Sequence, residues 1–314
     1  MKILVTGGAG FIDSHLVDLL FAKGCEVVVI DSLATGCRSQ VPPEAAFFQG
    51  DVADPQLLAK ALPGCDVVFH LAAVSSVQNS LDRPIEVHDT NLTATLALLE
   101  ASVQHKMPHF VFSSSAAVYG DTDGEPARED MTPKPMSHYA VQKLASEQYC
   151  HVYHHLHGLE TVCLRYFNIY GPRQRADSPY SGVIAKFIEA ARAGRPITIF
   201  GDGEQTRDFC HVKDVAAANY LAATHDADKV VDRVFNVGIG TSTSVKDLAL
   251  LVVSVFATAG ASIAHQPARP VEIRYSQAEI TSARQSLHWN PSTCLDVGLE
   301  RPANVTASKP CEKK

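Results

Sequence analysis

Ile3-Leu-Val-Thr-Gly-Gly-Ala-Gly-Phe-Ile12 opens the chain, and its reading decides the fold. The apolar, β-branched run 3–6 forms a buried strand. Gly7, Gly8 and Gly10 follow at once, and a helical pattern begins near Phe11 and runs to residue 23. Glycine permits the tight strand-to-helix turn and lets backbone N–H groups at the helix N-terminus approach a pyrophosphate. A second run, Val27-Val-Val-Ile-Asp31, ends in an acid roughly 20 residues on, where a carboxylate accepts a hydrogen bond from an adenosine ribose hydroxyl. An acid there also repels a 2′-phosphate, which favours NAD over NADP. Asp51, in Gly50-Asp51-Val52 after the third strand, is placed to meet the adenine amino group.

One position breaks this pattern. Asp13 stands where a small residue is expected, so its carboxylate must turn aside or push the helix outward. A negative charge there also competes with a pyrophosphate for the same donors, and weaker NAD binding than in an Asp13→Gly variant is expected.

Outward from the glycine turn, strand patterns at 3–6, 26–30, 46–49, 67–70, 110–113 and 161–165 alternate with helical ones at 14–23, 55–62, 85–105 and 137–155. Strands separated by helices of that length are parallel βαβ units. The expected fold is α/β: a Rossmann-like, doubly wound parallel sheet with a smaller C-terminal α+β substrate lobe. Residues 1–166 form the dinucleotide-binding domain, with elements near 209–237 returning to it. Turn-rich punctuation (Gly171-Pro-Arg, Gly194-Arg-Pro, Gly201-Asp-Gly) marks the lobe 167–300. The tail 301–314 lacks periodicity and is expected to be disordered; Asn304-Val-Thr306 matches a glycosylation sequon without any other sign of secretion.

The 314 residues are 46% hydrophobic and carry a net charge of −7, which argues against a nucleic-acid partner. The apolar start breaks at Thr6-Gly-Gly, too early for a signal peptide, and no stretch is long enough to span a bilayer. The eight cysteines show no regular spacing and read as reduced thiols, hence a cytoplasmic protein. His151, His154, His155 and His157 end a helix without an accompanying carboxylate; they read as a basic helix terminus, and no metal is expected.

The chemistry lies in Phe112-Ser-Ser-Ser115-Ala-Ala-Val-Tyr119-Gly, which closes a strand, and in Tyr139-Ala-Val-Gln-Lys143, which opens the next helix. A phenol and an ammonium four residues apart share one helical face. A phenol with a pKa near 10 needs help to act as a base, and Lys143 and a positive nicotinamide ring are both expected to favour the phenolate. Ser115 offers a hydroxyl to the reacting oxygen.

With these segments in view the sequence resembles the extended short-chain dehydrogenase/reductase family over nearly its whole length, and within it the UDP-hexose 4-epimerases. Further matching stretches are Asp31-Ser-Leu-Ala-Thr-Gly36, His70-Leu-Ala-Ala73, Asn91-Leu, Leu164-Arg-Tyr-Phe-Asn168-Ile-Tyr-Gly-Pro-Arg and Phe200-Gly-Asp-Gly-Glu-Gln-Thr-Arg207-Asp-Phe. The resemblance implies a cycle without net redox change: Tyr139 takes the proton of the sugar 4-hydroxyl, the C4 hydride passes to NAD, and the 4-keto sugar turns over before hydride returns. It implies Ser115, Tyr139 and Lys143 as catalytic residues. Gly7, Gly10, Phe11, Ile12, Asp31, Asp51, Val52, Leu71, Ala72 and Ala73 join Tyr139 and Lys143 as NAD contacts. Ser75, Asn168, Gln174, Gly182, Val183, Arg207, Arg269 and Ser276 are implied as UDP-sugar contacts, the two arginines on the diphosphate.

Related dehydratases carry an acid–base pair just after the hydroxyl residue, and decarboxylases a Glu; Ala116 and Ala117 stand here and move no protons. Small residues at Gly182 and Ser276 imply room for a 2-N-acetyl group. The long apolar faces of 85–105 and 137–153 exceed what one sheet needs, and in this family such helices pair in a homodimer. Competing readings are a UDP-glucuronate epimerase, another nucleotide-sugar oxidoreductase, and an NAD-binding protein impaired by Asp13. Proline at 302 departs from the helix expected there.

Overall fold

A computed structural model describes residues 1–176, 182–224, 230–256, 262–268 and 273–300. Seven parallel strands form the main sheet: β1 (Lys2–Thr6), β2 (Glu26–Asp31), β3 (Ala46–Gln49), β4 (Val67–His70), β5 (His109–Ser115), β6 (Glu160–Tyr166) and β11 (Arg233–Val237), in the order β3-β2-β1-β4-β5-β6-β11. The doubly wound sheet read from the sequence is the observed one. The order in which strands are added reverses between β1 and β4, and the crevice beyond their carboxyl ends is where such sheets bind ligands.

Both faces of the sheet are buried, and alternation along each strand decides which side chain goes where. Ile3, Val5, Val27 and Val29 join one core with Leu16, Val17 and Leu20 of α1 (Phe11–Ala22) and Ala218 and Ala222 of α8 (Val212–Thr224). Leu4, Val28, Ile30 and Val68 join the opposite core, with Leu58 of α2 (Pro55–Ala61), Leu98 and Leu99 of α5 (Ala94–Gln104), and Cys150 and Tyr153 of α6 (His138–His157).

After α3 (Val77–Asp82), the helix expected over 85–105 runs without a break through α4 (Pro84–His88), a π-turn at Asp89–Thr93 and α5. Asn91 sits in the π-turn. Its side chain accepts from Val74 N (2.8 Å) and donates to Val74 O (3.1 Å) and Gln142 Oε1 (3.0 Å). Reaching partners on two other segments requires the extra residue that a π-bulge inserts.

The strand 209–211 (β10) does not return to the main sheet. It pairs in parallel with β7 (Asn168–Tyr170), and only α8, which follows it, packs onto α1. A separate core gathers Ile184, Phe187 and Ile188 of α7 (Val183–Arg192), Ile197 and Ile199 of β8 (Ile197–Phe200), and Leu248 and Val252 of the helix Val245–Phe256. The tail 301–314 lies outside the described residues.

Candidate active site

The glycine turn after β1 is pressed between neighbours. Gly7 has φ +77 and donates to Ile30 O at 2.7 Å, and Gly10 donates to Gly7 O at 2.7 Å. A Cβ on Gly7 would lie 3.0 Å from the backbone of Ala72, and one on Gly8 2.7 Å from Val29 Cγ1. The turn therefore abuts the Leu71-Ala-Ala73 loop that leaves β4. A relay holds that loop: Thr6 Oγ1 accepts from Ala72 N (3.2 Å) and bonds His70 Nδ1 (2.8 Å), and His70 Nε2 bonds Thr95 Oγ1 (2.9 Å). Thr95 donates to Asn91 O at 2.6 Å, so the ring donates from Nε2 and accepts at Nδ1. Burial holds His70 neutral, lowering its pKa to about 3, and Lys143 adds to the effect.

Gly10 caps α1 without a side-chain acceptor, so first-turn N–H groups, those of half-buried Phe11 and Ile12 among them, are left for an anion such as a pyrophosphate. Asp31 accepts from Ala9 N (2.9 Å) and Leu33 N (2.7 Å); each oxygen keeps a lone pair for a ribose hydroxyl. Its carboxyl is pushed up by burial and pulled down by those two N–H groups. Val52 is buried, whereas Asp51 is exposed and accepts from Ala53 N (2.8 Å). The cradle fits a dinucleotide, with one obstacle.

That obstacle is Asp13. Its carboxyl folds back over the turn, so that a Cβ on Gly10 would collide with Asp13 Oδ2. Burial pushes its pKa well above the usual carboxylate range, the Asp31 carboxylate adds to this, and its own backbone N–H and Lys143 oppose it. The carboxyl thus packs against the glycine turn at the N-terminus of α1.

Ser115, Tyr139 and Lys143 come together at the end of β5 and the start of α6. Tyr139 and Lys143 are buried. The Lys143 ammonium donates to Ser113 O at 2.6 Å and stands 5.9 Å from the Tyr139 ring centroid. Burial lowers Lys143 to about 8, against the carboxylates of Asp13 and Glu147. Burial raises the Tyr139 phenol, and only the hydrogen bond with Ser115 pulls it down. Burial thus works against the phenolate that Lys143 and a bound nicotinamide ring are expected to favour.

Asn168, Val183 and Arg207 line one cavity of about 520 Å³ together with Lys186, Arg195 and Phe200. Arg207 lies on β9 (Thr206–Arg207) and donates to Thr206 O at 2.8 Å. Gln174 and Gly182 meet beside it: a Cβ on Gly182 would lie 2.8 Å from Gln174 Nε2. Exposed Ser75 and half-buried Ser276 are not among the cavity's described lining residues. Arg269 lies outside the described residues.

Residues 3–238 match the NAD dependent epimerase/dehydratase family. The chain belongs to that family. It is 37% identical over 304 residues to a putative UDP-glucose 4-epimerase of Methanocaldococcus jannaschii, covering 96% of this chain and 97% of that protein. The fold superposes on UDP-glucose 4-epimerase from Thermotoga maritima, solved with UDP-glucose, with a TM-score of 0.90, 36% identity and 96% of each chain covered. The same values hold for UDP-N-acetylglucosamine 4-epimerase from Methanobrevibacter ruminantium in complex with UDP-N-acetylmuramic acid.

Beneath the Tyr139–Lys143 end of α6 in this NAD-dependent enzyme lies a buried ion pair that sequence reading missed. Glu147, four residues beyond Lys143 on the same face of α6, receives Arg165 Nε at 2.9 Å and Nη2 at 2.7 Å, and the Ser114 hydroxyl. Arg165 also lies 4.7 Å over the Tyr119 ring. The repeat Tyr139, Lys143, Glu147 was the available signal. Glu147→Ala leaves the guanidinium buried without its partner and is expected to lower stability by about 3–5 kcal/mol, measured by urea unfolding. A second missed residue is Asp208, which accepts from Ile239 N (2.7 Å), Gly240 N (2.9 Å) and Ala278 N (3.1 Å) and so fixes the backbone beside Arg207.

The histidines at the end of α6 are not without a carboxylate. Asp232, 81 residues beyond His151, brings one to them.

Proposed function

We propose that this protein inverts C4 of a UDP-hexose through a 4-keto intermediate, interconverting the UDP-glucose and UDP-galactose pair and the corresponding N-acetylated pair. One observation carries the proposal: Ser115 and Tyr139 meet beside the dinucleotide cradle while Ala116 and Ala117 stand next to them. With no second acid or base in those slots, water is not eliminated and carboxylate chemistry has no partner.

NAD, when bound, supplies the hydride acceptor and a ring positive charge that favours the phenolate. Tyr139 then takes the proton of the 4-hydroxyl and, once the 4-keto sugar has turned over, returns one to the same oxygen. Ser115 holds the reacting oxygen through its hydroxyl, which accepts from Ala117 N at 3.2 Å and lies close enough to the Tyr139 phenol to lower its pKa. Lys143, fixed by Ser113 O, keeps a proton donor beside the phenol. Gly7, Gly10, Phe11, Ile12, Asp31, Asp51, Val52 and the 71–73 loop hold the cofactor, with Asp51 a weaker candidate because its carboxylate caps its own turn. Asn168, Gln174, Gly182, Val183 and Arg207 hold the nucleotide end, supported by their convergence on or beside the 520 Å³ cavity; Arg269, Ser75 and Ser276 complete the assignment.

The experiment is a panel of UDP-sugars, UDP-glucuronate included, assayed for C4 inversion with Tyr139→Phe as control. Inversion of UDP-glucose supports the proposal; inversion of UDP-glucuronate alone replaces the substrate; no turnover with any sugar returns the chain to an impaired binder. Room for the N-acetyl group is assigned to Ser276 and Gly182. Ser276→Tyr is expected to lower kcat/KM for UDP-N-acetylglucosamine at least about tenfold more than for UDP-glucose, which steady-state kinetics measures.

A homodimer and a cytoplasmic location complete the reading. Ile85 is 75% exposed and Leu156 72%, and Val141 and Val152 lie open on the same helical layer, an apolar face that a second copy would cover. Light scattering is expected to give twice the chain mass. The described cysteines are all free thiols, five of them buried, as a reducing compartment requires. Among the described residues no helix is long and apolar enough to cross a membrane.

A further inference from the structure

We propose that His151, His155 and Asp232 form a binding site for a divalent transition-metal ion of the zinc class, away from the dinucleotide cradle. His151 Nδ1 lies 2.8 Å and 3.0 Å from the two Asp232 oxygens, and His155 Nε2 lies 3.4 Å from Oδ2. All three donor atoms fall within 4.8 Å of one another. Two imidazoles and one carboxylate are a ligand set for zinc, cobalt, nickel or copper, whereas calcium and magnesium demand oxygen ligands.

The donors are presented by rigid backbone. His151 and His155 are one turn apart on the 20-residue α6, so their rings stand on the same face, with centroids 4.3 Å apart and planes at 86°. Asp232 holds the left-handed conformation (φ 56) and its N–H donates to Thr161 O at 2.7 Å. That conformation is uncommon outside glycine, and Asp tolerates it better than most residues. Its carboxylate is thereby turned toward α6 before any ion arrives.

Competing groups are turned away. His154 bonds Leu159 O at 3.1 Å through Nδ1, and the side chain of Arg233 reaches Ser286 at 3.3 Å. The imidazoles are half-exposed, 53% and 58%, against 22% for Asp232, which leaves the solvent side open for water to complete a tetrahedral shell. A bound ion ties the C-terminal end of α6, whose first turns carry Tyr139 and Lys143, to the loop that starts edge strand β11. Its effect is on the stability of that junction, through preferential binding to the folded chain.

The test uses tag-free, chelator-treated full-length protein titrated with Co²⁺ and, by calorimetry, with Zn²⁺. The expected result is one ion per chain, with visible Co²⁺ bands of a tetrahedral nitrogen–oxygen set, no near-ultraviolet thiolate band, and a rise in Tm with Zn²⁺. His151→Ala, His155→Ala and Asp232→Asn are each expected to weaken binding at least about tenfold, with metal-free Tm and circular dichroism checked for each; His154→Ala leaves binding unchanged. Absence of saturable binding by the wild type, equal binding by His151→Ala and His155→Ala, or a thiolate band from an exposed cysteine would overturn the assignment.

Discussion

Tyr139→Phe is expected to fold, to retain bound NAD, and to lose about 10²–10⁴-fold in the rate of C4 inversion. The phenol hydroxyl is the group that moves the proton, and phenylalanine keeps the ring that packs beside Ser115 and Lys143. The size of the loss follows from burial. Burial raises the phenol's pKa, and no adjacent side chain is a ready substitute base: Lys143 is committed to Ser113 O and His70 is a neutral relay sealed behind the cradle. Rapid-quench assays of inversion, with NAD occupancy measured on the same samples, separate a chemical defect from a binding one. A loss of less than about fivefold would remove Tyr139 from the reaction.

The second large effect concerns Asp13. Asp13→Gly is expected to bind NAD about 5–30-fold more tightly than the wild type, from removal of a carboxyl that occupies the helix N-terminus where a pyrophosphate seeks the same donors. The sign of the pH dependence follows from the direction of the shift. The Asp13 pKa is already raised in the free protein by burial and by Asp31, and a nearby phosphate anion raises it further. Binding of NAD therefore takes up protons between those two values. Wild-type affinity falls as pH rises through that window, by up to about tenfold per unit, while Asp13→Gly shows no such slope. Calorimetry in two buffers of different ionisation enthalpy reads both the affinity and the proton uptake. Equal affinities with no proton uptake in the wild type would show that the side chain swings clear of the cofactor.

Much of the fold was legible because its signals are local. The apolar runs of β1, β2 and β4, the glycines after β1, and Asp31 at the end of β2 each act within a few residues of themselves, and strand–helix alternation then leaves only a parallel sheet. The glycine turn itself and the shared helical face of Tyr139 and Lys143 were legible for the same reason. What was not legible depends on partners distant in sequence. The π-turn within the expected helix places Asn91, whose side chain serves Val74 and Gln142. Asp232 turns a basic helix end into a three-ligand cluster from 81 residues away. The phenol's raised pKa is a matter of burial depth, which the spacing of a Tyr and a Lys does not encode.

The lobe shows the same division. Arg207 was readable from its motif, but its placement depends on Asp208, which gathers backbone N–H groups from residues 239, 240 and 278. Neither those partners nor the pairing of 209–211 with β7 instead of the main sheet has a local signature.

The central claim is that one enzyme-bound nicotinamide takes and returns the same C4 hydrogen while Tyr139 handles the hydroxyl proton. Incubating the holoenzyme with UDP-glucose deuterated at C4, in ordinary water, tests it most directly. The UDP-galactose formed is predicted to keep deuterium at C4 in full. Inversion with the label washed out into solvent, or label retained without inversion, would contradict it.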